Sequence, residues 1–236
     1  MSVADIAVID GEIERLFLAQ IARHAPERRD EFARAGLSRY HEVSHLVDHG
    51  RIWGRLARRF DAAALAVLDR TDLYRGLREL FGDFTVTDEE DVGEPLVRWR
   101  IVRPGESGDI GPVHADSWFW RINKWPYDAD RSLIKIWTML HGAPGESGLM
   151  VLPDSHKVDY AYSAEIRDGS PKPSFDAAGL PMRPVRTLPG ESVVFHYDLL
   201  HGGMVTGGSA TRVSFELTMA VKRDRLPSGY HFLARG

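Results

Sequence analysis

From about residue 84 to about residue 222 the chain is a succession of short β-type runs, each cut off by glycine or proline. The runs are Leu96-Val-Arg-Trp-Arg-Ile-Val102, Leu133-Ile-Lys-Ile-Trp-Thr-Met-Leu140, Leu149-Met-Val-Leu152, Ser192-Val-Val-Phe-His196 and Arg212-Val-Ser-Phe-Glu-Leu-Thr-Met-Ala-Val221. Between them lie Pro104-Gly105, Pro144-Gly145, Gly169-Ser-Pro171, Pro189-Gly190 and Gly207-Gly208. Many short strands with such punctuation predict a sandwich or barrel. Residues 161–185 are polar and Pro-rich, and read as a loop or lid rather than a linker.

The first third has a different texture. Ile13, Leu16, Phe17 and Ile21 keep helical spacing between Gly11 and Ala25, and Pro26 marks a break. Further helices are predicted over Arg28–Leu37, Tyr40–Val47, Arg51–Leu68 and Asp72–Phe81, the last with Thr71 as its N-cap. Helices followed by strands argue for α+β or all-β with a helical cover, not a doubly wound sheet, and the fold is read as mainly β with N-terminal helices. The expected division is a helical part, residues 1–83, packed on a β core, residues 84–236, in one structural domain overall.

Composition narrows the function classes. The 236 residues include no cysteine, so disulfides, thiolate zinc sites, iron–sulfur clusters and thiol catalysis are excluded. The net charge of −4 provides no bulk cationic field for nucleic acid. No apolar run approaches the roughly 18 residues of a membrane span. The first residues carry no basic stretch followed by an apolar one, so an intracellular, cytoplasmic protein is expected.

One spacing carries chemistry. His114-Ala-Asp116 follows a strand-like segment, and His201 lies far downstream. Two imidazoles and one carboxylate are the ligands that hold ferrous iron on one face and leave positions open. If His114 and Asp116 lie in a strand, they share a face. Taken alone, the pair fits a buried His–Asp hydrogen bond as well as a metal. A second His-x-Asp, His196-Tyr-Asp198, reads better as a strand histidine packed beside the site. Context lifts the first pair. Arg212 follows His201 on the next strand-like run, with Ser214 at the same-face position. A guanidinium fork suits a terminal carboxylate, and a nearby hydroxyl adds a hydrogen bond. Arg212 and Ser214 could thus anchor the distal carboxylate of 2-oxoglutarate.

Five segments in order carry a family resemblance. They are His114-x-Asp116, Ile136-Trp-Thr-Met-Leu140, Gly148-Leu-Met-Val-Leu-Pro-Asp-Ser-His-Lys157, His201-Gly202 and Arg212-x-Ser214. Together they resemble the phytanoyl-CoA dioxygenase family, over about residues 95–220. The resemblance implies a double-stranded β-helix, the jelly roll of cupin-like proteins, and a non-haem iron(II) oxygenase that uses 2-oxoglutarate and O2. It implies His114, Asp116 and His201 as iron ligands, Arg212 and Ser214 on the 2-oxoglutarate C5 carboxylate, and Trp137 against the cosubstrate. The family also places a polar residue on an early strand, for which Arg98 and Arg100 are candidates. Related halogenases replace the carboxylate ligand by Gly or Ala. Asp116 fills that place here, which favours hydroxylation.

Directly after Asp116 comes Ser117-Trp-Phe-Trp-Arg-Ile-Asn-Lys-Trp-Pro-Tyr127, rich in aromatic side chains with two cations. Such walls describe a small-molecule site. Trp118, Trp120, Arg121 and Lys124 are the candidate substrate-binding residues. If the strand continues, Trp118 and Trp120 share one face and Phe119 and Arg121 the other. His41, His45 and His49 recur at helical spacing and are read as one polar helix face. His141 and His156 are read as structural. The leading expectation is an oxygenase, most simply a hydroxylase, acting on a small molecule. No nucleic acid or membrane partner is expected, and the N-terminal helices could pair two chains. The alternatives are a cupin-like protein that binds metal or 2-oxoglutarate without turnover, and a metal cupin enzyme that uses no 2-oxoglutarate.

Overall fold

Helix α1 (Val3–His24) starts at a capping box in which Ser2 and Asp5 bond each other's backbone N–H groups. The computed structural model that shows this describes residues 1–89, 93–125, 128, 130–167 and 169–226. The box carries the helix eight residues upstream of Gly11, which lies in its interior with open space around its α-carbon. Ile9, Ile13, Phe17 and Ile21 form its buried face at a spacing of four. Helices α2 (Arg29–Ala35) and α3 (Tyr40–Val43) follow. The long helix expected over Arg51–Leu68 is broken. Helix α4 (His49–Ile52) stops at Trp53, a 3-10 turn covers Arg55–Arg58, and α5 (Ala62–Leu68) resumes after Asp61 caps it. The break has a physical cause. Arg59 bridges Arg98 in the sheet, and the Phe60 N–H donates to the Val97 carbonyl. This segment covers a sheet edge that would otherwise be open. Helix α6 (Asp72–Phe81) has the expected limits, and the Thr71 hydroxyl accepts from the Tyr74 N–H.

The β part comprises β1 (Phe84–Val86), β2 (Val97–Val102), helix α7 (Asp116–Asn123), β3 (Arg131–His141), β4 (Gly148–Val151), β5 (Ser163–Arg167), β6 (Ser170–Ser174), β7 (Arg183–Arg186), β8 (Ser192–His196), β9 (His201–Gly203) and β10 (Arg212–Lys222). The larger sheet is antiparallel. Its centre is β10, flanked on one side by β1 and β2 end to end, and on the other by β3 and then β8. The smaller sheet runs β7-β4-β9, and β5 and β6 form a hairpin. The jelly-roll expectation thus holds. The 161–185 segment is not an open loop, because it contains that hairpin and the start of β7.

Alternation along β3 and β10 sorts the core. Ile134, Ile136, Val213, Phe215, Leu217, Met219 and Val221 face the helices, and join Ile13, Phe17, Tyr40, Trp53 and Leu77 in one apolar cluster. Trp137 and Met139 on the opposite face meet Leu149 and Val151 of the smaller sheet. That inner face also carries the polar side chains of Lys135, Arg212, Ser214, Glu216 and Thr218. No helix among the described residues is long and apolar enough to cross a membrane.

His41, His45 and His49 do not form one helix face, because the helix ends at Val43. His41 Nδ1 lies 3.0 Å from the Thr211 hydroxyl. His49 is enclosed between Tyr40 and Asp109, and Asp109 also accepts from Arg103. Burial pushes the His49 pKa down to about 4, although Asp109 opposes that. Between pH 6.5 and 4 the unfolded chain therefore binds a proton that the folded chain refuses, so stability falls as pH falls through this window. We expect the melting temperature to drop from pH 6.5 to pH 4, and His49→Gln to flatten that slope. Parallel pH profiles for the two proteins would contradict this account.

Candidate metal centre

His114 and His201 exchange both backbone hydrogen bonds, each N–H···O at 2.9 Å. This isolated bridge joins two residues far apart in sequence, and it aligns their side chains at the mouth of the barrel. Two glycines make it possible. A β-carbon at Gly202 would press on Val113, and one at Gly203 would lie 2.9 Å from Ile110. Without those β-carbons the 110–114 segment lies flat on β9.

The ring orientations are fixed from behind. His114 Nδ1 is 2.8 Å from the Pro112 carbonyl, and His201 Nδ1 is 3.0 Å from the Leu199 carbonyl. A carbonyl accepts only, so each Nδ1 carries the proton and each Nε2 offers a lone pair. Asp116 is the first residue of α7, so the strand that was expected to continue through it ends here. The two residues still converge, because the chain turns into the helix between them. Asp116 Oδ1 lies 3.7 Å from His114 Nε2, and Oδ2 lies 3.6 Å from His201 Nε2. The candidate ligand atoms of all three lie within 4.8 Å of one another. Asp116 Oδ2 is buried with no hydrogen-bond partner, as a metal ligand would be. Among the described residues this is the one such group of His, Asp and Glu.

Electrostatics prepare the site. Burial alone would push Asp116 up, but the Lys135 ammonium and the two imidazoles hold it well below the usual carboxylate range. Burial pushes His201 down to about 4, with partial opposition from Asp116. The set at neutral pH is therefore a carboxylate with a neutral His201, which is what a divalent ion requires.

Deeper in the barrel, Arg212 is buried beneath Trp137, with its Cζ 5.8 Å from the ring centre. Its Nη1 donates to the carbonyls of Gly148 (3.0 Å) and Met204 (2.9 Å). Burial lowers its pKa to about 10, so it remains a cation. Its Nε and the Ser214 hydroxyl are both buried without a partner. Two unsatisfied donors beside a buried cation fit a carboxylate. Arg100 also faces inward, with Nε 3.0 Å from Glu216. About a third of its side chain (32%) is still accessible.

The Gly148–Lys157 stretch has a structural task. Gly148 approaches the Val185 carbonyl so closely that a β-carbon would lie 1.9 Å from its oxygen. The Leu152 N–H donates to Leu200, and the Leu200 N–H donates to the Ser155 hydroxyl at 2.8 Å. This stretch therefore holds the residue just before His201.

The aromatic segment forms a helix, so the expected strand faces are replaced by helical ones. Trp118 is buried and stacks on Tyr162 at 4.5 Å, beside Phe175, which ties α7 to the hairpin region. Trp120 packs toward Leu133, Tyr197 and Ala220. Arg121 is paired with Asp198 and Asp159, and Lys124 is exposed at the helix end. Phe119, not singled out by the sequence, lies edge-on to His114 at 5.2 Å. Pro126 and Tyr127 lie outside the described residues. The second motif is not a ligand set, since His196 Nδ1 accepts the Asp198 N–H and Asp198 pairs with Arg121. Lys135 and Glu89 were also missed. The signal for Lys135 was a lysine at an inward position of an apolar strand.

The fold is a jelly roll in which His114, Asp116 and His201 could hold one metal, with Arg212 and Ser214 buried deeper in it. The family model for phytanoyl-CoA dioxygenase (PhyH) matches residues 9–212, and the chain belongs to that family. The cofactors of the family are iron(II), 2-oxoglutarate and O2. No curated protein matches the sequence. Among solved structures, the chain is similar to AviO1 from Streptomyces viridochromogenes Tue57, with 16% identity, a TM-score of 0.43, and coverage of 70% of this chain and 64% of that one. It is similar to the non-heme monooxygenase ThoJ in its apo form, with 14% identity, a TM-score of 0.50, and coverage of 90% and 70%. It is also similar to EctD from S. alaskensis with 2-oxoglutarate and 5-hydroxyectoine, with 17% identity, a TM-score of 0.47, and coverage of 94% and 69%. At such identities the likeness speaks to fold alone. The chain spans less than two thirds of AviO1.

Ser155→Ala should remove an acceptor that the buried Leu200 N–H needs, at a cost of about 1–3 kcal/mol. Denaturant unfolding measures this, and unchanged stability would contradict the role given to Ser155.

Proposed function

We propose that this chain is an iron(II)- and 2-oxoglutarate-dependent oxygenase that hydroxylates a C–H bond of a small molecule. The observation that carries the reading is the convergence of His114, Asp116 and His201 within 4.8 Å, on a fold that also buries Arg212 Nε and the Ser214 hydroxyl without partners. His114, Asp116 and His201 would hold the metal on one side. Bound there, iron(II) with 2-oxoglutarate and O2 supplies the oxidising chemistry, which converts the cosubstrate to succinate and CO2.

The chain's own side chains bind, orient and exclude water. Arg212 and Ser214 hold the distal carboxylate with the Nε–H and hydroxyl that lack partners. Trp137 forms the wall between that end and the metal. Phe119 covers the His114 ring on the open side and limits how a substrate reaches the metal. Trp118, Tyr162 and Phe175 hold the 161–185 region over α7 as a cover. The substrate roles expected for Trp120, Arg121 and Lys124 become secondary, because Trp120 packs into an apolar cluster and Arg121 is engaged by two carboxylates. No side chain needs to act as a general base.

Succinate formation by the iron-loaded chain with O2 tests the reading. Asp116→Ala should abolish most of it, and near-full activity would remove Asp116 from the ligand set. Arg212→Ala should raise the 2-oxoglutarate requirement at least about tenfold, the scale of a lost charge-assisted hydrogen bond. An unchanged requirement would remove Arg212 from the cosubstrate site.

A further inference from the structure

Lys135 occupies an inward position of β3, between Leu133 and Trp137, and is 4% exposed. Its Nζ lies 3.6 Å from Asp116 Oδ1 and 3.8 Å from Glu89 Oε1. The Thr218 hydroxyl, directly across the strand pair, lies 3.5 Å away and donates in turn to Glu89. Two carboxylates, Asp116 and Glu89, lie within 4 Å of its Nζ and balance its charge. Charge-assisted N–H···O bonds are typically about 2.7–2.9 Å long. Both carboxylates here lie beyond that range. Lys135 therefore has its charge balanced while its three donors are poorly used.

Its place relative to the metal gives those donors a target. A carboxylate–metal bond of roughly 2.0–2.2 Å from Asp116 Oδ2 would keep an ion within about 8 Å of the ammonium, close enough for a carboxylate bound to that ion to reach it. Once the ion takes up the charge of Asp116, Lys135 loses part of its compensation. Along the inner face, Arg212 and Lys135 stand on opposite sides of Trp137. A 2-oxo diacid carries a carboxylate at each end, and Arg212 accounts for one.

Resting on the function proposed above, we infer that Lys135 is the second anion anchor of the cosubstrate site. Its ammonium binds the carboxylate next to the keto group, at the metal end. Glu89 competes for the ammonium at 3.8 Å until that carboxylate displaces it. A lysine that served only to neutralise Asp116 would have no such preference for a bound 2-oxo acid.

The test is an anaerobic titration of the full iron(II)-loaded chain with 2-oxoglutarate, read from the visible charge-transfer absorption of the chelated 2-oxo acid. Lys135→Met should weaken 2-oxoglutarate binding at least about tenfold, since a charge-assisted hydrogen bond is lost. Its iron(II) affinity, measured separately, should not fall. Lys135→Arg should restore binding to within about threefold, or roughly 0.7 kcal/mol. Binding by Lys135→Met as tight as that of the unsubstituted chain would overturn the inference and leave the proposed function standing. No absorption from the unsubstituted chain would overturn both. Should Lys135→Met fail to fold, Glu89→Gln decides. It removes a competing carboxylate and should tighten 2-oxoglutarate binding, whereas weaker binding would overturn the inference.

Discussion

The pairing of β3 with β10 is the constraint on which the rest depends. Over ten residue pairs the two strands run antiparallel at the centre of the larger sheet. Because side chains alternate, every second residue faces the helices and every other one faces the barrel interior. The outward set is aliphatic and aromatic, and it forms one cluster with the N-terminal helices. The inward set carries Lys135, Trp137, Arg212, Ser214, Glu216 and Thr218. A slip of one residue would place those charges against the helices and open the interior to Val213, Phe215 and Leu217. The helical cover is therefore not an accessory, since it gives the apolar face somewhere to go and lets the other face remain polar.

Buried charge on that inner face is tolerated because it is compensated in sequence along the barrel. Glu216 answers Arg100, and Lys135 lies between Asp116 and Glu89. Arg212 has no carboxylate among its hydrogen-bond acceptors, which are two carbonyls. Burying an ion without a partner is costly, and proteins retain such groups where function uses them. The same logic separates the two His-x-Asp motifs. In the second, His196 Nδ1 accepts the Asp198 N–H and the Asp198 carboxylate pairs with Arg121. Asp116 instead retains an oxygen without a hydrogen-bond partner, aimed at two imidazoles.

Much of this was legible in the residues. The strand runs are where their alternation and breakers put them, and Thr71 caps α6 as its side chain dictates. The His114, Asp116 and His201 set was readable through the ordered segments around it, since the His-x-Asp pair alone fits a hydrogen bond as well as a metal. Other features depend on contacts that no local pattern encodes. The chain breaks after Ile52 because Arg59 and Phe60 pair with β2, although the local composition favours helix. Asp116 turns into a helix because the segment after it packs Trp118 against Tyr162 and Trp120 against Leu133 and Tyr197. The His41–His45–His49 spacing suggests one helix until Val43 ends it. Lys135 could have been noticed as a cation inside an apolar strand, but its neighbours Asp116 and Glu89 come from other parts of the chain.

The proposed chemistry requires three side chains from separate elements to form one ion site. Anaerobic calorimetric titration of the metal-free chain with iron(II) tests that most directly. The expected result is one equivalent bound per chain, with binding lost in His201→Ala while the fold is retained. Iron(II) binding that is absent, or that survives loss of His201 unchanged, would contradict it.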